Sequence, residues 1–226
     1  PYLCMYNVGR EMTKFVIFDL DGTLLNTIDD LATSTNYALQ CAGYPQHDLF
    51  AYRYFVGNGI NKLIERALPY DKKTESEIAR LRKYFVEYYG KHMCDLSRPY
   101  EGIVSLLGGL QERGIALAVA SNKYQEATRK LIARFFPQID FAVVFGQREG
   151  IPVKPDPAIV YDILRITGVE KEETLYVGDT NVDMTTAINS GVRSVGVTWG
   201  FRPQLELEES GAKAIVHHPD EILSLL

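Results

Sequence analysis

The chain has 226 residues, 46% of them hydrophobic and 23% charged, with a formal net charge of −5. That length suits one sizeable domain, or a main domain carrying a smaller inserted one. The acidic balance argues against nucleic acid or an anionic membrane surface as the main partner. No apolar run reaches the roughly 18 residues of a membrane span, and Cys4, Cys41 and Cys94 stand apart with no CxxC spacing, which suits a reducing cytoplasm better than a disulfide framework.

Residues 1–11 lack the basic start and apolar stretch of a signal peptide. They are left unassigned, as a native extension or an expression remnant. Phe15 to Leu20 is a short apolar run ending in acidic residues, the pattern of a buried parallel strand with its polar groups at the carboxyl end. Ile28 to Ala42, Ile60 to Leu68 and Glu75 to His92 then read as helices, the last with Ile78, Leu81, Phe85 and Tyr89 on one stripe. Tyr84, Tyr88 and Tyr89 are taken as packing residues. Ile115 to Ala120, Phe141 to Phe145, Thr174 to Val177 and Ser194 to Thr198 are further strands, with helices at Gln125 to Phe135, Pro157 to Thr167 and Asp183 to Ser190. Alternation of this kind predicts an α/β fold, a Rossmann-like open parallel sheet with helices on both faces. About 100 residues separate the first two obvious strands, whereas a βαβ unit needs about 30. The expected organisation is therefore a catalytic core of residues 12–25 and 96–226, with an α-helical cap over 26–95 above the ligand crevice.

The unusual polar groups sit at strand ends, where ligands of open α/β sheets bind. Asp19 and Asp21 follow the first strand, with Gly22 and Thr23 after them; Ser121 and Asn122 follow the next; Asp179 and then Asp183 follow a later one. Carboxylates this close repel one another, and a cation relieves the repulsion. Oxygen-only ligands favour magnesium over zinc, so the expected metal set is Asp19, Asp21 and Asp179, with Asp183 in support. Asp19 suits a nucleophile and Asp21 a general acid and base. Ser121 offers a hydroxyl and Lys154 a charge to a phosphoryl group, and Gly22, Thr23 and Asn122 are placed at the phosphate. Taken singly, Asp179 also reads as a helix N-cap, Lys154 as a solvated loop lysine, Trp199 as packing near the rim and His217-His218 as a surface pair.

The DLDGTL, VASN, VKPDP and GDTNVD segments resemble, in order, the four signature motifs of the haloacid dehalogenase superfamily. The resemblance implies an aspartyl-phosphate on Asp19, acid and base work by Asp21 with its backbone carbonyl on the metal, phosphoryl contacts from Ser121 and Lys154, direct metal ligation by Asp179 and support from Asp183. It also implies that the helical insert is a cap. The stretch Phe55 to Pro69, with Gly57-Asn58-Gly59 at its turn, is similar to that of phosphoglycolate phosphatases, as is the run from Asn26 to Leu31, which departs from the commoner Asp-Ser at its first two positions. The glycines permit close backbone approach and Asn58 can hydrogen-bond a carboxylate.

The expected activity is thus magnesium-dependent hydrolysis of a small phosphorylated metabolite, with 2-phosphoglycolate foremost. A sugar-phosphate phosphatase, a pyrophosphatase and a phosphomutase are the alternatives. A signalling receiver domain shares the acidic site, the hydroxyl residue and the lysine, but it has neither a large insert nor an acid two residues after the phosphorylated Asp.

Overall fold

The computed structural model describes residues 13–226, so the unassigned opening segment lies outside the described residues. In chain order the elements are β1 (Phe15–Phe18), β2 (Leu25–Asn26), α1 (Ile28–Ala42), α2 (Leu49–Phe55), α3 (Ile60–Ala67), α4 (Glu75–His92), β3 (Arg98–Pro99), α5 (Ile103–Glu112) and β4 (Ala116–Tyr124). They continue through α6 (Gln125–Phe135), β5 (Phe141–Gln147), α7 (Ala158–Thr167), β6 (Thr174–Gly178), α8 (Asn181–Ser190), β7 (Arg193–Val197), α9 (Gln204–Glu209) and β8 (Ala214–Val216). No described helix is long and apolar enough to cross a membrane.

Six strands form one sheet in the order β5-β4-β1-β6-β7-β8, every neighbouring pair parallel. β1 is buried throughout because helices cover both sheet faces. Its alternate residues divide between the two layers. Val16 and Phe18 join Leu117, Val119, Leu175 and Val177 on one side, while Phe15 and Ile17 join Ala118, Ala120 and Tyr176 on the other. Residues of α5 and α6 pack into the first layer and residues of α7 and α8 into the second. The chain leaves β1 for β4 on one side and later crosses to β6 on the other. The carboxyl ends of β1 and β6 therefore flank the topological switch point, where such sheets bind ligands.

Four helices, α1 to α4, occupy the interval between β2 and β3. These two short strands pair antiparallel, Leu25 with Pro99 and Asn26 with Arg98, so the chain enters and leaves the helical segment side by side. Buried Asp30 fastens the same point by accepting from the backbone amides of Leu96 and Ser97 and from Ser97 Oγ. The apolar residues of α1, α3 and α4 are continuous with the first core layer.

Several boundaries shift by one or a few residues from expectation, and two of the shifts bear on the site. β4 runs on to Tyr124 instead of stopping at Ala120, since Tyr124 still pairs with Gln147 of β5 across a register shift. Ser121, Asn122 and Lys123 are thus held in a strand and not in a loop. α8 begins at Asn181, with Thr180 as its N-cap in a capping box with Asp183. The capping reading of Asp179 is therefore replaced by one for Thr180.

Candidate active site

Pairing of β1 with both β4 and β6 brings Asp19, Ser121 and Asp179 to one edge of the sheet. The backbone amide of Asp19 continues the ladder by donating to Val177 O at 2.9 Å. Lys154, 2% exposed, projects beneath Asp19. Its Nζ donates to Asp19 Oδ1 at 2.9 Å, to Asp183 Oδ1 at 2.7 Å and to the Tyr176 hydroxyl at 2.9 Å. This lysine is no solvated loop residue: all three ammonium protons are committed. Burial opposes its charge, but Asp183 and Asp19 outweigh that and raise its pKa well above the ordinary lysine value.

Asp179 is held just as firmly. Thr23 Oγ1 donates to its Oδ1 at 2.9 Å and the Phe201 amide to its Oδ2 at 2.8 Å. The carboxylate lies between two glycines, since a Cβ on Gly22 or on Gly200 would overlap it. Gly22 also has φ +90°, a conformation that side chains disfavour. Asp183 receives Thr180 Oγ1 at 2.7 Å on Oδ2 and Lys154 on Oδ1, which leaves it as a brace for Lys154.

Carboxylate oxygens of Asp19, Asp179 and Asp183 lie within 4.8 Å of one another, all buried, with Lys154 as the cation in contact. The cluster carries three formal negative charges against one positive. Burial first, then Asp183, pushes the Asp19 carboxyl up to about 7, with Lys154 opposing and Asp21 adding to the rise. Burial, Asp183 and Asp19 likewise raise Asp179 well above the carboxylate range. A buried site that resists ionisation of its own carboxylates fits a hard divalent cation. Asp19, Asp179 and Asp183 have oxygens close enough together to hold one.

Asp21 stands apart from this cluster. Its Oδ1 accepts from Thr27 Oγ1 at 2.7 Å and its Oδ2 pairs with Lys123 Nζ at 3.1 Å. The carboxylates that converge are those of Asp19, Asp179 and Asp183, and not the expected Asp19, Asp21 and Asp179, because the Asp21 side chain turns to Thr27 and Lys123. Above Asp19 and Asp21 opens a cavity of about 50 Å³. Ser121, Asn122, Lys123 and Tyr124 line its sheet side; Leu31, Val56, Gly57, Gly59, Ile60, Leu63, Phe85 and Tyr89 line its helical side. Ser121 Oγ accepts from the Lys123 amide at 3.2 Å, so its own proton is available to a ligand.

Several expected phosphate contacts have other work. Thr23 and Gly22 serve Asp179, as described. Both amide protons of Asn122 are used, one on Gly57 O and one on Lys154 O, and its Oδ1 accepts from the Lys154 amide. It stitches the cavity turn to the Lys154 loop. Gly57 and Gly59 do reach the cavity, with φ +126° and +82°, but Asn58 accepts from Arg66 Nη2 at 2.8 Å and is not among the lining residues. His217 and His218 lie near the carboxyl terminus, where the His218 amide donates to Glu221 at the start of a short terminal helix. Trp199 touches the site through its indole N–H, which donates to Thr23 O at 3.0 Å.

Lys123, Tyr176 and Gly200 escape the sequence reading as site residues, and Tyr89 enters it only as a packing residue. Lys123 adjoins Ser121-Asn122, and Tyr89 is the one hydroxyl on an otherwise apolar α4 stripe; those were the signals available. Tyr176 looks like any aromatic in a buried strand, and Gly200 needs the third dimension to show its purpose.

The sequence profile of the family described as haloacid dehalogenase-like hydrolase matches residues 16–197. A phosphoglycolate phosphatase of Haemophilus influenzae is 34% identical over 219 residues, 94% of this chain and 98% of that protein. One from Mesorhizobium japonicum is 32% identical over 209 residues, 92% of each. A solved structure described as a predicted phosphoglycolate phosphatase from Haemophilus somnus superposes with a TM-score of 0.88 at 30% identity, covering 96% of this chain and 99% of that one.

Proposed function

The chain belongs to the haloacid dehalogenase-like hydrolases, and on that premise we propose that it is a magnesium-dependent phosphatase acting on a small phosphomonoester, foremost 2-phosphoglycolate. The observation that carries the reading is the buried set of Asp19, Asp179, Asp183 and Lys154 at the switch point, opening through Asp19 and Asp21 into one cavity. The names of the relatives supply the substrate.

Lys154 occupies Asp19 Oδ1, and Oδ2 has no donor among the described residues. That oxygen attacks phosphorus in line, the P–O bond to the organic group breaks, and an aspartyl-phosphate forms on Asp19. Ser121 and the nearby backbone amides hold phosphoryl oxygens. A magnesium ion held by Asp19, Asp179 and the Asp21 carbonyl supplies charge neutralisation for the phosphoryl group and keeps the carboxylates ionised. Asp21, one position further into the cavity, gives its proton to the departing oxygen. It then takes one from the water that cleaves the acyl-phosphate, returning Asp19 as a carboxylate. The helical segment 26–95 serves as the cap. Its apolar wall excludes bulk water and limits the leaving group to small molecules. The free thiols of Cys41 and Cys94 suit a reducing cytoplasmic setting.

Purified protein with magnesium, screened against phosphorylated metabolites for released phosphate, tests the proposal. Preference for 2-phosphoglycolate over sugar phosphates and pyrophosphate is the expected result; a sugar phosphate or pyrophosphate at the head of the panel replaces the substrate, and silence across the panel removes the activity.

A further inference from the structure

The cavity contains one buried cation that the phosphoryl chemistry does not use. Lys154 is spent beneath Asp19, whereas Lys123, 8% exposed, lines the cavity itself. Its Nζ reaches Asp21 Oδ2 at 3.1 Å and the Tyr89 hydroxyl at 2.9 Å, and it lies 4.7 Å from the centre of the Tyr89 ring. An ammonium has three protons; one is committed to Tyr89, and the ion pair with Asp21 leaves at least one more unspent. Tyr89, fully buried on α4, accepts from Lys123 through its hydroxyl, and that hydroxyl has no acceptor of its own among the described residues. Two unspent donors therefore meet at the edge of the cavity, one from the sheet and one from the helical segment.

Their position relative to Asp21 gives them a meaning. The ester oxygen of a bound substrate must lie within hydrogen-bond reach of the Asp21 carboxyl, so it lies close to Lys123 as well. A carboxylate one carbon away from an ester oxygen places its own oxygens roughly 3 Å from it. The rest of the cavity's helical wall is apolar and offers no second cation. Anionic groups need such a partner when taken out of water.

We propose that Lys123 and Tyr89 form the receptor for the carboxylate of a short phosphorylated 2-hydroxy acid, and so determine which phosphate ester the protein selects. The inference rests on the phosphatase reading above and adds to it the residues that read the leaving group. Lys123 Nζ–H and Tyr89 O–H each donate to one carboxylate oxygen. Because Tyr89 rides on α4, the carboxylate also ties the helical segment to the sheet when the substrate is seated. A neutral leaving group of the same length, with a single hydroxyl, answers at most one donor and offers no charge to Lys123.

The test compares kcat/KM for 2-phosphoglycolate with that for 2-hydroxyethyl phosphate, which has the same length but no carboxylate. It uses the whole protein with magnesium, as wild type, Lys123→Met, Lys123→Arg and Tyr89→Phe, each checked for a cooperative melting transition. Both rates should fall in Lys123→Met, since Asp21 loses a partner. The diagnostic quantity is their ratio, which should drop roughly 10- to 100-fold, the scale of a charge-assisted hydrogen bond. Tyr89→Phe should lower it several-fold, and Lys123→Arg should keep most of it. An unchanged ratio in folded Lys123→Met or Tyr89→Phe overturns the inference while the phosphatase reading stands. A wild type with no preference for the carboxylate ester overturns it too. A wild type that hydrolyses neither compound brings down both. If Lys123→Met does not fold, the Tyr89→Phe and Lys123→Arg ratios decide.

Discussion

On the sheet side of the cavity, Asp179 is gripped by Thr23 and Phe201, Asp183 by Thr180 and Lys154, and Lys154 by Asp19, Asp183 and Tyr176. Asp179, Asp183 and Lys154 each have at least two partners there. On the helical side the wall is built mainly of Leu31, Val56, Ile60, Leu63 and Phe85, and, Tyr89 apart, its polar contacts hold backbone. Arg66 donates to Phe55 O, Arg202 to Val56 O and Asn122 to Gly57 O. Charge networks tolerate little change in any member, because a deserted partner is left buried and unpaired. Apolar walls tolerate exchange of similar volumes. One side is thus suited to conserve a reaction and the other to vary what is presented to it.

Substitutions within the network of Asp19, Asp179, Asp183 and Lys154 should therefore damage all substrates alike, and the largest effect belongs to Asp19. Asp19→Asn keeps the shape and removes the nucleophile, so turnover of every ester should fall by roughly 10⁴-fold or more. The melting temperature should stay close to wild type, because the lost negative charge sat in a crowded acidic cluster. Full turnover in a folded variant would remove the covalent mechanism. Next in size is metal removal. Exhaustive chelation should reduce phosphate release by roughly 10³-fold, with recovery on adding magnesium but little on adding calcium; undiminished activity after chelation would contradict the reading of the acidic cluster.

Gly200→Ala probes the same side without touching a charge. Its Cβ would collide with the Asp179 side chain and with Gly22 O. The magnesium concentration giving half activation should rise roughly 10- to 100-fold, the range seen when a ligand's supports are disturbed. On the helical side the effect should be smaller and selective. Gly59→Val forces a β-branched residue into φ +82° and against Asn122 O. The preference for 2-phosphoglycolate over an aryl phosphate should drop roughly ten-fold while aryl phosphate turnover changes less. Equal losses for both would show that the two walls are not separable.

The smallest effect concerns stability. Without metal, the folded Asp19 carboxyl titrates near about 7 against an ordinary value of 3.8, so between those values the folded state holds a proton that the unfolded state has released. Stability of the metal-free protein should then decline as pH rises through that window. Bound magnesium removes the penalty, so the melting temperatures with and without magnesium should draw apart by a few degrees as pH rises through that same window. Parallel curves would mean that Asp19 is already ionised in the metal-free protein.

The reading from sequence reached furthest where the pattern was local. β1, β6 and their terminal aspartates are visible because a parallel strand is an apolar run with polar residues at one end. α1, α3 and α4 are visible because their stripes are strong. α2 was missed: Leu49–Phe55 is a mixture of aromatics without a clean period, started by an Asp48 cap that looks like any loop aspartate. β8 is three residues long and defined only by its pairing with β7. In the site, residue types single out Asp19, Ser121, Lys154 and Asp179, and the fold brings Lys154 and Asp179 to Asp19 and sets Ser121 in the same cavity lining. Partners could not be read, since Asn122 and Thr23 each have polar groups that suit a phosphate as well as a neighbour. Tertiary geometry alone assigns their donors to Gly57, Lys154 and Asp179.

The short β2–β3 ribbon has a consequence for the molecule's history. Leu25 and Pro99 are neighbours across it, so about seventy intervening residues leave and return through one doorway. Lengthening a loop whose ends are already joined is inexpensive, about 0.6 kcal/mol for each doubling. The sheet therefore places few demands on how long that excursion is or how many helices it contains. Insertions, deletions and whole replacements there would spare the strand ends on which the chemistry depends, so a lineage could exchange the enclosure and inherit the reaction unchanged.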